Sequence, residues 1–335
     1  MDVSSWVWAG TAVFVVGLIL FDFFAHVRTP HAPTFQESAR WSIFYVGLAL
    51  VFGVVVGVVY GWGPGTEYFA GYVTEKSLSV DNLFVFLIIM TKFAVPRNYQ
   101  QKVLLVGVVI ALILRTVFIL AGAAAIERFS WVFYLFGAFL VYTAVKLARE
   151  HHDPDHLDPR AERDGLAVRT LKRILPTTEE YHGDRLTVKI DGKRLLTPML
   201  LVMVAIGSTD ILFALDSIPA IYGLTEEPYI VFTANAFALL GLRQLYFLIG
   251  GLLERLVYLS QGLAVILGFI GVKLVLHALH VNELAFVNNG EPVAWAPEIP
   301  IWLSLTVILG TLAVATVASL LKTRNDERIA SSTES

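Results

Sequence analysis

Glu75-Lys-Ser-Leu-Ser-Val-Asp81-Asn runs directly into Leu-Phe-Val-Phe-Leu-Ile-Ile-Met, and so places two acids inside a hydrophobic segment long enough to cross a bilayer. A second segment, Asp210-Ile-Leu-Phe-Ala-Leu-Asp216, repeats the same spacing between its acids. An ionisable side chain at the centre of a membrane helix costs about 3 kcal/mol on insertion unless it is paired, hydrated or bound to an ion. The two matching pairs therefore predict an ion pathway through the membrane.

The composition is that of a polytopic membrane protein. Hydrophobic residues make up 56% of the 335 residues and charged residues 16%, whereas soluble domains carry about 25% charged residues. The chain has no cysteine, which excludes disulfides, thiolate metal sites and thiol redox chemistry of its own. The net charge of −3 is uninformative, and we expect no nucleic-acid partner.

Windows of about 20 apolar residues predict an all-α fold with about nine membrane helices in a single transmembrane domain. The first window follows an acid rather than a basic region, so we interpret it as a membrane helix and not as a cleavable signal. The predicted spans lie near 6–24, 41–60, 68–91, 103–125, 131–147, 198–223, 229–251, 257–279 and 299–321.

The distribution of basic residues predicts the orientation in the membrane. The segment 149–196 and the tail 322–335 are rich in Lys and Arg, whereas the loops 222–228 and 280–298 carry acids and neither Lys nor Arg. Because cytoplasmic loops are enriched in Lys and Arg, we predict a multi-pass plasma-membrane protein. Its N-terminus would lie outside and its C-terminus in the cytoplasm.

The segment 149–196 is the one long polar stretch between predicted spans. It opens with His151-His-Asp-Pro-Asp-His-Leu-Asp158, which has metal-ligand residue types, although its composition favours a solvated loop. An Asp-Gly pair at 191–192 stands between alternating residues and predicts a small β-hairpin. The segment could also be a docking surface for a cytoplasmic or membrane partner.

Two parts of the chain resemble each other. A Glu-Arg pair at 127–128 and another at 254–255 are each followed, 18 residues after the Arg, by a Lys. The two acid pairs stand upstream. We therefore predict an inverted three-helix repeat, 68–147 and 198–279, because an odd number of spans reverses the second copy and such repeats hold substrate at the midplane. Chance similarity among Leu/Val/Gly-rich helices is the alternative.

Hard oxygen donors accompany these acids. Five intramembrane acids, including Asp22, against three bases, Lys76, Arg115 and Arg243, leave a surplus of two negative charges (5 − 3), which suits one divalent cation. The arginines are the predicted counter-charges. Oxygen-rich sites suit manganese, calcium or magnesium. The candidate metal ligands are Glu75, Asp81, Asn82, Asp210, Asp216 and Asn235.

Structural roles remain open for these residues. The acids could instead lock helices together by pairing with the arginines. Asn235 could be a ligand or could form an interhelical hydrogen bond.

Helix geometry refines the predicted site. Six residues along an α-helix correspond to about 9 Å of rise and leave two acids about 120° apart. Crossing of inverted helices predicts two carboxylate layers, one with Asp81 and Asp210 and the other with Glu75 and Asp216. Pro219 would free a backbone oxygen beside the second motif, as in the broken helices of transporters.

The motif phrases resemble the TerC family of integral membrane proteins, which is grouped with the LysE-type exporters. The matching phrases lie at 75–86, 209–221 and 235–247, and the likeness covers about 65–280. The resemblance implies a membrane protein linked to tellurium resistance and manganese export, in which the acids of the motif helices handle the ion. The chain departs from the family at Gly207, where many members carry an acid.

The leading hypothesis is a secondary transporter that exports a divalent metal ion, with manganese favoured over calcium and magnesium. The chain has no Gly-x-x-x-x-Gly-Lys loop for ATP, so a gradient would supply the energy. The alternative is a non-transporting membrane partner in metal or tellurite stress resistance, or in metal loading of secreted enzymes. We expect no enzyme activity, since neither His-Glu-x-x-His nor Gly-x-Ser-x-Gly occurs.

Overall fold

A computed structural model describes residues 1, 3–27, 31–129, 131–150, 166–190, 193–249, 256–282, 284, 287–293 and 295–333. The described part is nearly all α-helical, as the sequence predicts. Its elements in chain order are α1 (Ser5–Asp22), a π-helical turn (Phe23–Val27), α2 (Phe35–Tyr60), α3 (Trp62–Lys92), α4 (Arg97–Arg128), α5 (Val132–Glu150), α6 (Leu166–Ile174), β1 (Thr187–Ile190), β2 (Lys193–Leu196), α7 (Pro198–Tyr222), α8 (Pro228–Leu239), α9 (Leu242–Ile249), α10 (Leu259–His280), a 3-10 turn (Asn288–Gly290) and α11 (Ile301–Thr333).

Within the described residues, eight helical segments are long and apolar enough to cross a membrane, with α8 and α9 counted as one. The chain is therefore a multi-span membrane protein. One of the nine predicted spans, 68–91, is missing from these eight. It lies in α3, which has 31 residues and would be about 46 Å long at 1.5 Å per residue. It is not among the eight because its sequence carries the charged residues Glu75, Lys76 and Asp81.

Helix α3 lies in the interior of the bundle, where it packs against α2, α7, α8 and α11. Helix α4 packs against α7 and α8, and α5 packs against α10. In the predicted repeat, α3 corresponds to α7 and α4 corresponds to α8. The contact of α3 with α8 and that of α4 with α7 are therefore the two equivalent contacts that an inverted repeat would produce. The repeat itself is not confirmed by this packing and stays a prediction.

Two glycines set the distance between α5 and α10. A Cβ atom on Gly137 would lie 2.9 Å from the carbonyl oxygen of Gly271, and one on Gly271 would lie 3.0 Å from the carbonyl oxygen of Gly137. Small residues let membrane helices approach this closely. The α5–α10 contact therefore depends on glycine at both positions.

The chain breaks at a place that the sequence did not predict. Helix α7 continues through Pro219 to Tyr222, because the loss of one backbone hydrogen bond is tolerated in a membrane helix. The chain breaks instead between α8 and α9, where Gly241 has φ of +77°. A Cβ atom there would lie 2.8 Å from the Cβ atom of Tyr45, so both the conformation and the space require glycine.

The two strands form an antiparallel hairpin in which Thr187 pairs with Leu196, at the position that the sequence predicts. The loop before the hairpin docks on the start of α4, where Lys102 Nζ donates to Asp184 Oδ2 at 2.6 Å. This hydrogen bond lowers the pKa of the Asp184 carboxyl. The His- and Asp-rich run at 151–158 lies outside the described residues.

These contacts define two ends of the bundle. The hairpin end is the one where α3 ends, α4 and α7 begin and the hairpin packs. At the opposite end, α4 and α7 end and α8 begins, and a cavity opens there. We call it the cavity end.

Candidate functional site

Arg115 of α4 joins the two acid-bearing helices. Its Nη1 contacts Glu75 Oε1 on α3, and its Nη2 donates to Asp210 Oδ1 on α7 at 3.4 Å. None of the three side chains is more than 2% exposed. With all three ionised, two carboxylates on one guanidinium leave a charge of −1. The sequence named Arg115 as a candidate counter-charge, and in the structure its partners are two motif acids.

Asn82 completes what we call the Arg115 cluster, which consists of Glu75, Asn82, Arg115 and Asp210. With its amide oxygen turned toward Arg115, Asn82 accepts from Nη2 at 3.1 Å and donates to the carbonyl oxygen of Leu78 at 3.1 Å. Asn82 lies seven residues, or about two turns, after Glu75, so both side chains share one face of α3.

Several buried polar atoms on α3, α7 and α8 have no hydrogen-bond partner among the described residues. An unsatisfied buried donor or acceptor costs about 1–3 kcal/mol. Most of these atoms are oxygens, which can bind a cation as ligands. They are Thr74 Oγ1, Glu75 Oε2, Ser79 Oγ, Asp210 Oδ2, Ser217 Oγ and both polar atoms of the Asn235 amide.

The other two motif acids have described backbones only. Asp81 lies in α3 and Asp216 in α7, but both side chains fall outside the described part of the chain. The predicted pairs of Asp81 with Asp210 and of Glu75 with Asp216 therefore lie outside it too. The two-layer arrangement assigned Glu75 and Asp210 to different layers, whereas in the structure both contact one guanidinium. Packing of α4 against α7 lets a single arginine reach both acids.

The second buried arginine has a different partner from the first. Arg243 Nη2 donates to Asp22 Oδ1 of α1 at 2.8 Å, and Gln244 Nε2 donates to the same oxygen at 2.9 Å. Gln101 of α4 accepts a hydrogen bond from Arg243 Nη1 and donates to the carbonyl oxygen of His31 at 2.7 Å. Arg243 is thus a counter-charge for Asp22 and not, among the described side chains, for a motif acid.

We call Asp22, Gln101, Arg243 and Gln244 the Arg243 cluster. The cavity beside it is only about 10 Å³, room for one water molecule at most. The sequence did not identify the two glutamines. A polar amide inside an apolar span is a signal that could have found Gln244, whereas Gln101 precedes the predicted span 103–125.

Gly207, the position at which the chain departs from the resemblance, faces α4. A Cβ atom there would lie 3.2 Å from Ile110 Cγ2. The side of the site one turn before Asp210 is therefore apolar in this chain. Asn235 lies on α8 and is 1% exposed.

A cavity of about 460 Å³ opens at the cavity end of the bundle, with Glu127, Glu226 and His277 in its wall. His277 Nε2 lies 2.8 Å from Glu226 Oε1, and this hydrogen bond lowers the pKa of the Glu226 carboxyl. The sequence did not predict the cavity, because its residues come from the ends of separate helices. Among the described residues, no group of three or more His, Cys, Asp or Glu could hold a metal ion.

Comparison with known proteins gives one family. The model of the integral membrane protein TerC family matches residues 60–327. An uncharacterized membrane protein of Mycobacterium tuberculosis is 53% identical over 327 residues, which are 97% of this chain and 81% of that protein.

Two further relatives have more descriptive names. A putative membrane-bound redox modulator, Alx, of Escherichia coli is 37% identical over 316 residues, which are 92% of each chain. The thylakoid membrane protein TERC of Arabidopsis thaliana is 44% identical over 243 residues, which are 72% of this chain and 62% of that protein. No solved structure matches the chain.

Proposed function

Because the chain belongs to the TerC family of integral membrane proteins, we propose that it is a secondary transporter that exports a divalent metal ion across the cytoplasmic membrane. Manganese is the first candidate substrate, and calcium and magnesium are the alternatives. The donors on the motif helices are hard oxygens and the chain has no cysteine, a combination that suits these ions. In the proposed orientation the hairpin end is cytoplasmic.

The observation that carries this proposal is that two carboxylates share one guanidinium in the Arg115 cluster. Glu75 and Asp210 share one guanidinium, and each keeps an oxygen without a partner among the described residues. A buried carboxylate is stable only when its charge is compensated, and one arginine compensates one of the two. A transported cation supplies the missing positive charge. Asp81 and Asp216, on the same two helices, would add further oxygen ligands.

Arg115 gives the empty site a stable form. Two carboxylates without a cation between them repel each other, and the guanidinium offsets this repulsion. When the metal ion binds, its charge replaces that of Arg115 at one of the acids. Carboxylates that release the metal can take up protons instead, which would couple export to the inward flow of protons.

Metal flux in proteoliposomes tests this function. The purified protein is reconstituted and Mn²⁺ uptake is measured with and without a pH gradient, normalised to the amount of inserted protein. We expect Asp210→Asn and Asp216→Asn to abolish uptake, because asparagine keeps the shape and one oxygen but not the charge. The matched control is Asp184→Asn, which removes an acid outside the bundle. Normal flux per molecule in both Asn variants of the motif acids would contradict the proposal.

The second candidate is a membrane partner protein without transport activity. The name of the Alx relatives, putative membrane-bound redox modulators, favours it, although this chain has no thiol of its own. The loop before the hairpin, which docks on α4, would be the binding surface. Replacement of 149–196 by a flexible linker separates the two candidates, because a transporter would keep its Mn²⁺ flux per molecule and a docking protein would lose its effect on metal or tellurite resistance.

A further inference from the structure

Lys76 follows Glu75 on α3 but points to a different neighbour. Its Nζ donates to the carbonyl oxygen of Ala238 at 3.0 Å and to that of Leu240 at 3.4 Å. Among the side chains that the structure describes, no carboxylate pairs with this ammonium. A lysine at this depth in a membrane bundle is costly to bury, so its contacts at the helix break need an explanation.

The break between α8 and α9 creates acceptors for a cation. Helix α8 ends at Leu239, and Gly241 then turns the chain with a positive φ before α9 begins. The last carbonyl groups of a helix have no donor within the helix, and its C-terminal end carries partial negative charge. In transporters with broken helices, such ends coordinate small cations.

Asn235 supplies an independent observation at the same place. It lies one turn before Ala238, and residues three apart are neighbours on a helix surface. Its side chain is 1% exposed, and neither its oxygen nor its nitrogen has a partner among the described residues. An unpartnered buried amide therefore lies one turn before the carbonyl groups at the end of α8.

We propose that the carbonyl oxygens of Ala238 and Leu240 form a subsite for a monovalent cation, which the Lys76 ammonium occupies as a tethered cation. This inference rests on the proposed function, since it gives the transporter an internal substitute for a coupling alkali ion. Transport by the wild-type protein then requires neither Na⁺ nor K⁺.

Thermal unfolding of the full chain in detergent tests the subsite without a transport assay. In Lys76→Gln the ammonium is gone, while the amide can still donate to a carbonyl oxygen. The melting temperature of this variant should rise by about 3 °C, in a saturable manner, when Na⁺ or K⁺ replaces choline at constant ionic strength. The wild-type protein and Lys92→Gln, an exposed lysine on the same helix, should show no such difference.

Two results would overturn the proposal. One is a folded Lys76→Gln protein with the same melting temperature in Na⁺, K⁺ and choline, because Lys76 would then be only a helix cap. The other needs no variant: wild-type Mn²⁺ flux that requires Na⁺ or K⁺ would mean that the coupling ion is not tethered. Absence of any wild-type Mn²⁺ flux would contradict the proposed function and leave the melting test of the subsite valid.

Discussion

The two buried arginines, Arg115 and Arg243, occupy similar environments but have different partners. Arg243 meets one carboxylate, Asp22, and its Nη1 donates to Gln101, so one acid faces one base in the Arg243 cluster, which encloses almost no space. Its unpartnered atoms among the described residues are Arg243 Nε and Gln244 Oε1, and neither belongs to a carboxylate. Arg115 meets two carboxylates, and each of these has an oxygen without a partner among the described residues. The residue types are the same, but the charge balance differs.

This difference separates a structural ion pair from a candidate binding site. A buried pair of one acid and one base has no charge left for a further ion, and its main effect is to hold helices together. A cluster with one acid too many needs a cation to be complete. Burial alone would have ranked the two arginines equally, since both are almost fully covered.

The largest effect should come from Asp22→Asn, which removes the only carboxylate of the Arg243 cluster. It removes the carboxylate that compensates Arg243, and an uncompensated buried charge costs about 3–5 kcal/mol. We expect a lower melting temperature and less inserted protein, with Mn²⁺ flux per inserted molecule retained. Asp184→Asn is the control, because loss of an exposed ion pair costs below about 1 kcal/mol. A stable Asp22→Asn protein without flux would place Asp22 on the cation path.

Glu75→Gln tests the Arg115 cluster and should leave the melting temperature almost unchanged. Arg115 keeps Asp210 as its partner, so no buried arginine is left without a carboxylate. The cation site loses a charge, and we expect Mn²⁺ flux per molecule to fall about 100-fold, which corresponds to about 2.7 kcal/mol. Flux and melting temperature are measured on the same preparation. A large fall in melting temperature with normal flux per folded molecule would make the Arg115 cluster structural as well.

We expect the smallest effect from Asn235→Leu, which tests whether the unpartnered amide of Asn235 is a metal ligand or forms an interhelical hydrogen bond. Leucine has a similar size and no polar group to leave unsatisfied, so the free energy of unfolding should rise by about 1 kcal/mol. The Mn²⁺ flux should fall at the same time, because an oxygen donor is lost. The readouts are melting temperature and normalised flux. A less stable protein would instead support the interhelical hydrogen bond that the sequence left open.

The sequence named the members of the Arg115 cluster as candidates, but it did not give which of them contact each other. Acids inside apolar spans are visible in any hydropathy window, and Arg115 and Arg243 are conspicuous for the same reason. Which acid meets which arginine depends on how far each helix is rotated and shifted against its neighbours. One residue of rotation turns a helix by about 100°, and no pattern along a single span specifies that angle.

The helix break shows the same limit. The sequence drew attention to Pro219, through which α7 continues, whereas Gly241, which has no comparable motif, follows the end of a helix. Proline removes one hydrogen bond, which the surrounding bundle tolerates. Gly241 adopts its conformation where the side chain of Tyr45, from a distant part of the chain, leaves no room for a Cβ atom.

The sequence by itself determined that this is an all-α, multi-span protein of the TerC family with acids on two membrane helices, because partition into a membrane depends on local composition. Only the tertiary structure decided that Glu75 and Asp210 share Arg115, that Asp22 neutralises Arg243 and that Lys76 reaches the break after α8. These contacts join residues that lie far apart in the chain. They form because packing against neighbouring helices, with close approaches such as that at Gly137 and Gly271, fixes each helix in one position and rotation.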